Sequence, residues 1–544
     1  MSPTGGPKDE TPPKLVSSIP ADKSLNFKGK SVELVFDEKV KIAGLKNELI
    51  ITPTYYGEYD FKQEKYGLII EFEDPFDDST TYNLNFREAI QDVTESNPAE
   101  NLKIAFSTWG YLDSLSISGS IYDLLTEIPV SQYLVGIYDK YDTLSPLNGP
   151  PLYFSKTNDF GYYSMENIRP GLYDVYSFED KNDNLTLESK SESYGFMPDP
   201  ILLDYTNNES SFGVTNLDLT ELEIQSARQN GQYYEVKASK YITDYEIKTP
   251  STDSILYSKY AADHKGIILF NTFDFADSLE LHITVQDSLY TTITDTLYIS
   301  YRESQRQKDE FRLSVKSAMI HKENKKFEAE LEFTKPVTHV TFDSLFIEWD
   351  SLRTTNFDTT NIIFGKNRTT LKIESNVTML DIDSLNSNNK TPILSLKDAA
   401  FLSLENDSSI NRNQNISIFE DSKLGIISGS IRLEDISYFV QLIDESNKII
   451  RSEYNTQDYL FEDLLPGTYR LRLLLDDNND GIWHPGNLNV NQPPERVFFY
   501  VSEEGNSELI LRANWELIDI NVNSLLKTVE IPELESEQVP DSNR

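Results

Sequence analysis

Apolar and polar residues alternate along most of the chain, in short runs broken by Gly, Pro, Asn and Asp. The clearest run follows the Pro466-Gly467 turn. Tyr469, Leu471, Leu473 and Leu475 alternate with Thr468, Arg470, Arg472 and Leu474, the period of two expected of a strand buried on one face. The run enters an acidic turn, Asp476-Asp477-Asn478-Asn479-Asp480-Gly481. A stretch with the same layout begins at Pro170-Gly171, and aligning the prolines sets Asp180 on Asp476, Asn182 on Asn478 and Asn184 on Asp480. Each copy follows an Ile-Ser-Gly-Ser-Ile pentapeptide, at Ile117–Ile121 and at Ile427–Ile431. Helical periodicity is weak and confined to 521–531, so the pattern predicts an all-β chain carrying a duplicated unit.

Other strand-like runs divide the sequence further. Residues 1–13 form a Pro/Gly-rich tether, and 14–110 hold strands such as Ser31–Val40, Glu48–Ile51, Tyr66–Phe72, Thr81–Phe86 and Lys103–Thr108. At this spacing, with turn residues between, they read as a β-sandwich. The first Ile-Ser-Gly-Ser-Ile unit occupies 111–215, and 216–304 is a further strand-rich segment with no motif. Residues 305–420 contain Ala329–Val337, whose Ala-Glu-Leu-Glu-Phe echoes Val32-Glu33-Leu34-Val35-Phe36 and predicts a degenerate second copy of the first domain. The second Ile-Ser-Gly-Ser-Ile unit spans 421–520, and 521–544 is an acidic tail. The expectation is a tandem array of sandwiches, either extended or compactly packed.

Composition supports folded cores: 38% of residues are hydrophobic and 12% aromatic, and 544 residues are too many for one core, fitting roughly three to five domains. The formal net charge is −40. Such a field repels nucleic-acid phosphates and anionic lipid head groups, so neither is an expected partner. It also keeps a long exposed protein dispersed. There is no cysteine, which removes disulfides, thiol nucleophiles and thiolate metal sites. No apolar run reaches bilayer-spanning length.

Catalytic signatures are missing. The five histidines, His264, His282, His321, His339 and His484, are scattered, with no zinc-hydrolase spacing. There is no nucleophile elbow, phosphate loop or dinucleotide fingerprint. A pair of carboxylates of the glycosidase kind needs only proximity in space, and nothing in the sequence selects one. Trp483 beside His484 reads either as a sugar-facing ring or as a plug at the end of a sandwich.

The acidic turns are the candidate metal site. Asp476, Asn478 and Asp480 alternate through a turn relaxed by Gly481, and with the Ile482 carbonyl they form an oxygen set suited to a hard cation such as calcium. The twelfth position is Asn487 in place of a bidentate glutamate, so the expected affinity is weak, about 10⁻⁴–10⁻³ M. The earlier copy, with Leu185 for the glycine, is expected to be weaker still. The alternative for both loops is that their side chains only cap their own backbone.

The opening Thr11–Val40 and closing Asp78–Thr108 segments, behind their Gly/Pro tether, resemble the bacterial Ig-like domain that opens many Bacteroidota envelope lipoproteins. The Ile-Ser-Gly-Ser-Ile units resemble the prealbumin-like, carboxypeptidase-regulatory-like sandwich, a module with no activity of its own. The resemblance of the tether and the Ig-like domain implies a lipid anchor on the native precursor, with Met1 standing where relatives carry the lipid-bearing cysteine. Nine Asp-Ser/Thr-apolar triplets, Asp350-Ser351-Leu352 among them, look like the O-glycosylation signature of such proteins, and equally like turns that start strands. The expectation is a non-enzymatic outer-membrane lipoprotein, on the surface or periplasmic face, acting as scaffold or binding subunit of an envelope protein complex and carrying O-glycans. The rivals are a glycan-binding surface protein, which needs an exposed aromatic platform, and a hydrolase, which needs a deep pocket with carboxylates of perturbed pKa.

Overall fold

The computed structural model describes residues 10–207, 209–252, 255–272, 278–322, 324–378, 391–419, 423–433 and 436–522. Two compact units divide the chain: Met1–Thr220 with Pro485–Pro494, and Glu221–His484 with Glu495–Arg544. Both are built of small antiparallel sheets with a few parallel closures. No helix among the described residues is long and apolar enough to cross a membrane.

The first unit opens with a sandwich. One sheet runs, in spatial order, Leu15–Ile19, Ser31–Phe36, Gly67–Phe72 and Tyr59–Glu64, and the other Ile50–Thr52, Thr81–Asn85 and Lys103–Ser107. Val40–Ile42 pairs with Ile90–Asp92 at the side. Alternation sends Val32, Leu34, Leu68 and Ile70 inward against Leu84, Ile104 and Phe106, all buried. Two sequence expectations are corrected here. Ser31–Val40 is not one strand, because the chain leaves the first sheet after Phe36 and Val40 starts a separate pair. Glu48–Ile51 does not begin as a strand either: Gly44, at φ +59°, turns the chain into a single helical turn, Leu45–Glu48.

The second sandwich of this unit has a three-stranded sheet, Tyr162–Ile168, Leu115–Asp123 and Phe212–Val214. Facing it, Tyr153–Lys156, Leu134–Asp139, Gly171–Phe178 and Tyr194–Phe196 lie in order, with Ile201–Leu203 also on Gly171–Phe178.

In the second unit, the segment without a motif resolves into two sheets. One runs Ile224–Asn230, Tyr233–Ala238, Gly266–Leu269 and Ser258–Tyr260, and the other Asp244–Lys248, Leu279–Gln286 and Thr292–Ile299. Lettered in chain order, these are ABED and CFG, the order of a constant-type immunoglobulin sandwich. The next sandwich repeats the strand order of the N-terminal domain, with Leu313–His321, Lys326–Phe333, Thr370–Asn376 and Ile362–Phe364 in one sheet. Leu345–Glu348, Ile393–Leu396 and Arg412–Asn415 form its partner sheet, and Val337–Val340 again pairs with Phe401–Ser403 at the side. Its additions are Thr354–Asn356 and a parallel edge strand, Ser417–Phe419.

The last sandwich has the strand order of the earlier Ile-Ser-Gly-Ser-Ile unit. Asp458–Leu464, Gly425–Ser430 and Glu516–Leu517 face Ile449–Tyr454, Ser437–Asp444, Gly467–Asp476 and Val497–Phe499, with Leu509–Leu511 also on Gly467–Asp476. The agreement extends to single residues. Ile117 pairs with Asn207 and Ile121 with Phe212, as Ile427 pairs with Leu517 and Ile431 with Val522. The pentapeptide glycine is explained by close approach: a Cβ on Gly119 would collide with the Ser210 carbonyl, and one on Gly429 with that of Ile520. Those same carbonyls accept the hydroxyls of Tyr163 and Tyr459, each at 2.7 Å.

Neighbouring sandwiches inside each unit are sealed by polar bonds. In the first, the Thr54 N–H donates to the Leu152 carbonyl at 2.8 Å. Asn167 accepts from Asn83 and donates to the Asp113 carbonyl, both at 2.9 Å. In the second, the buried Lys335 ammonium meets Glu405 at 2.5 Å and Asp407 at 2.6 Å, and Tyr233 of the preceding sandwich donates to Glu405 at 3.3 Å. Lys259 crosses the same junction to the Thr334 carbonyl at 2.7 Å.

Candidate functional site

The second acidic loop continues from Gly467–Asp476, and its first carboxylate is fully buried. Asp476 Oδ1 accepts the Asp480 N–H at 3.0 Å, and Oδ2 accepts the Gly481 N–H and the Tyr454 hydroxyl, each at 2.8 Å. Asn478 Oδ1 also accepts the Asp480 N–H, at 2.9 Å, and its amide donates to Asp480 Oδ2 at 3.1 Å. Asp480 Oδ1 accepts the Ile482 N–H at 2.9 Å and Oδ2 meets His484 Nε2 at 2.7 Å. That imidazole bond, together with the Ile482 N–H, holds the Asp480 carboxyl below the usual range against the opposing effect of burial. Asn487 serves a turn of its own, its side chain accepting from the Asn489 N–H at 3.0 Å.

The first loop follows the same backbone path. Asp180 Oδ1 accepts from the Asn184 N–H at 3.0 Å and Oδ2 from that of Leu185 at 3.1 Å. Asp183 and Asn479 share a left-handed φ, +55° and +57°, as do Leu185 at +60° and Gly481 at +83°. Only the second copy places glycine at the last of these, where a side chain is strained. Asn182 donates to Glu188 Oε1 at 3.0 Å. Burial pushes the Asp180 carboxyl above its ordinary value, outweighing its backbone hydrogen bonds.

Thus the predicted residues Asp476, Asn478 and Asp480 do meet, and each has at least one oxygen engaged by a donor within the loop. The Ile482 residue is tied in through its N–H. Among the described residues no group of three or more His, Asp or Glu side chains is placed to hold a metal ion.

No local sequence pattern marks the two residues that organise the loops from below. Glu495 Oε1 accepts the Asn478 N–H at 3.3 Å and Oε2 the His484 N–H at 2.7 Å. In the earlier copy Glu192 Oε1 accepts the Lys181 N–H at 3.0 Å and Oε2 the Glu188 N–H at 2.7 Å. They are the only buried glutamates among the described residues. Their distances from the leading aspartate differ, so aligning the copies on Pro-Gly does not superimpose them. Burial pushes the Glu192 carboxyl upward, against its backbone hydrogen bonds.

Trp483 is half-buried, with its indole N–H on the Glu495 carbonyl at 3.1 Å, and so braces the loop. In the middle sandwich His264 lies between Tyr241 and Tyr260, its ring centroid 4.9 and 4.7 Å from theirs and nearly parallel to both. Rings stacked on one another present an edge-on column, not the coplanar strip that a sugar face would cover. A cavity of about 20 Å³ beside Tyr56, Asp139 and Asp142 has room for roughly one water. An open groove of about 430 Å³ follows Ser428, Gly429 and Ser430, and in it Arg432 pairs with Asp458 at 2.5 Å.

No curated protein matches the chain. The crystal structure of the S-layer protein rSbsC(31-844) is 10% identical over 91% of this chain and 68% of its own, with a TM-score of 0.15. BcpA, the major pilin subunit of Bacillus cereus, is 8% identical over 76% of this chain and 100% of its own, at 0.13. Immunoglobulin domains 1–4 of Sidekick-1 are 8% identical over 68% and 92%, at 0.16. Scores this low carry no argument about function. Residues 9–108 match the family of the bacterial Ig-like domain, and the N-terminal sandwich is of that type.

Proposed function

We infer that the protein is a non-enzymatic scaffold or binding subunit of an envelope protein complex, held at the outer membrane through a lipid on the native precursor. The observation that carries this reading is the way the sandwiches are joined. The Thr54–Leu152 and Asn83–Asn167–Asp113 bonds in one unit and the Lys335–Glu405–Tyr233 contacts in the other replace loose linkers by fixed junctions. Fixed junctions suit a protein that presents surfaces at set positions better than one that closes around a substrate. The bacterial Ig-like domain at the N-terminus and the net charge of −40 support an exposed, envelope-facing role. Weak calcium binding at the Asp476 loop and O-glycans on exposed Asp-Ser/Thr-apolar turns belong to the same proposal.

Cells expressing the native precursor provide the test. Fractionation with a lipid probe places the labelled protein in the outer membrane, and affinity purification from that membrane recovers a stable partner. Recovery from the cytosol without label overturns the envelope assignment. Turnover of a polysaccharide or peptide panel, lost on replacing one buried carboxylate, overturns the non-enzymatic one.

A further inference from the structure

The middle sandwich contains a lysine and an aspartate removed from water together. Lys240 follows strand Tyr233–Ala238 of one sheet, and Asp287 follows strand Leu279–Gln286 of the other. Their side chains are 3% and 0% exposed, and Nζ lies 2.6 Å from Oδ2. The other oxygen, Oδ1, accepts the backbone N–H groups of Leu289 at 2.9 Å and Thr291 at 2.8 Å. Ile242 and Val285 are buried nearby in chain, within the same core.

Two features of this pair bear on reactivity. Two N–H donors on Oδ1 are placed where negative charge develops if Cγ becomes tetrahedral. Fixed side chains in contact also react as though at about 10⁵–10⁸ M, which favours condensation in a site that water does not enter.

We propose that Lys240 and Asp287 are joined by an amide bond from Nζ to Cγ, formed once after folding. Nζ passes one proton to Oδ2 and attacks Cγ, and the charge that appears on Oδ1 is held by the Leu289 and Thr291 N–H groups. The nitrogen releases a second proton to Oδ2, which departs as water when the carbonyl re-forms. The ammonium has lost two hydrogens and the carboxylate one oxygen, with no change of oxidation state and no co-reactant. The product ties the two sheets of the sandwich covalently, as fits a chain that contains no cysteine.

Intact-mass measurement of the purified full chain tests this. The expected mass is lower than that of the sequence by one water molecule, and digestion gives a branched peptide joining the segments that hold Lys240 and Asp287. An unshifted mass overturns the proposal. A deficit of one water without that branched peptide also overturns it, because a cyclic imide at an aspartate has the same mass. Lys240→Met restores the full mass if the amide is present and leaves an imide deficit in place. If that variant does not fold, the wild-type digest decides by itself.

Discussion

Glu495 accepts the His484 N–H at 2.7 Å, and Glu192 repeats that bond with the Glu188 N–H at the same distance in the earlier copy. The acceptors stand twelve and nineteen residues beyond their loop's first aspartate in sequence, Glu192 after Asp180 and Glu495 after Asp476, yet each closes its loop from the protein side. The acidic turns are therefore anchored at both ends by buried carboxylates, Asp476 with Glu495 and Asp180 with Glu192.

Replacing Glu495 by Ala removes the acceptor of the Asn478 and His484 N–H groups. The expected loss is about 1.5–3 kcal/mol, read as a lower urea midpoint at unchanged slope. Glu495→Gln keeps an acceptor and is expected to lose less. Equal losses in the two variants would mean that charge, not acceptance, holds the loop.

Acid should act oppositely on the two loops. Burial raises the Glu192 and Asp180 carboxyls in the folded protein, so the folded state holds these protons to higher pH than the unfolded chain. Stability at that loop rises as pH falls through the raised values toward the ordinary range, about 3.9–4.3. The His484 bond lowers Asp480, so its contribution is present above the ordinary value and is lost as pH falls below about 4. Hydrogen exchange followed from neutral to acid pH should show 180–188 gaining protection while 476–484 loses it. Parallel changes in both would refute the assignment.

Calorimetric titration addresses the calcium proposal. Binding at about 10⁻⁴–10⁻³ M should vanish in Asp476→Ala/Asp480→Ala. Heat that persists in this variant moves the ion elsewhere, and absence of heat in the unaltered protein leaves the loop's side chains to cap its backbone without an ion.

Lys335→Met leaves Glu405 and Asp407 facing each other without their shared cation. Lys335 is almost fully buried but Asp407 is 37% exposed, so the cost belongs at the low end for broken buried pairs, about 3 kcal/mol. Adding Glu405→Leu should recover part of it. A loss below about 1 kcal/mol would reduce the junction to an ordinary surface pair.

Among the Asp-Ser/Thr-apolar turns, Asp350 accepts the Leu352 and Arg353 N–H groups and holds Leu352 92% exposed, so Ser351 is well presented. Asp142-Thr143-Leu144 is also open, whereas Asp287-Ser288-Leu289 begins with a fully buried aspartate. The triplets at Asp253, Asp277 and Asp383 fall wholly or partly outside the described residues. Peptide mapping of native envelope material should find sugar on Ser351 or Thr143 and none on Ser288. Sugar on Ser288 would show that presentation does not select the site.

The sequence by itself determined the all-β class, because period-two alternation such as Tyr469, Leu471, Leu473 and Leu475 suits a strand, although from Leu471 to Asp476 both faces of that strand are buried and not the one expected. Two copies of the Ile-Ser-Gly-Ser-Ile and Pro-Gly layout made the repeat visible, and Asp476, Asn478 and Asp480 were legible because they are close in chain. Tertiary structure decided what depends on residues distant in sequence. Glu192 and Glu495 gain their role only when a returning segment buries each beneath its loop. The middle sandwich carries no local motif, since its ABED and CFG order exists only in long-range strand pairing. Lys240 and Asp287 likewise meet only because the strands before them belong to opposite sheets, where packing excludes water from both.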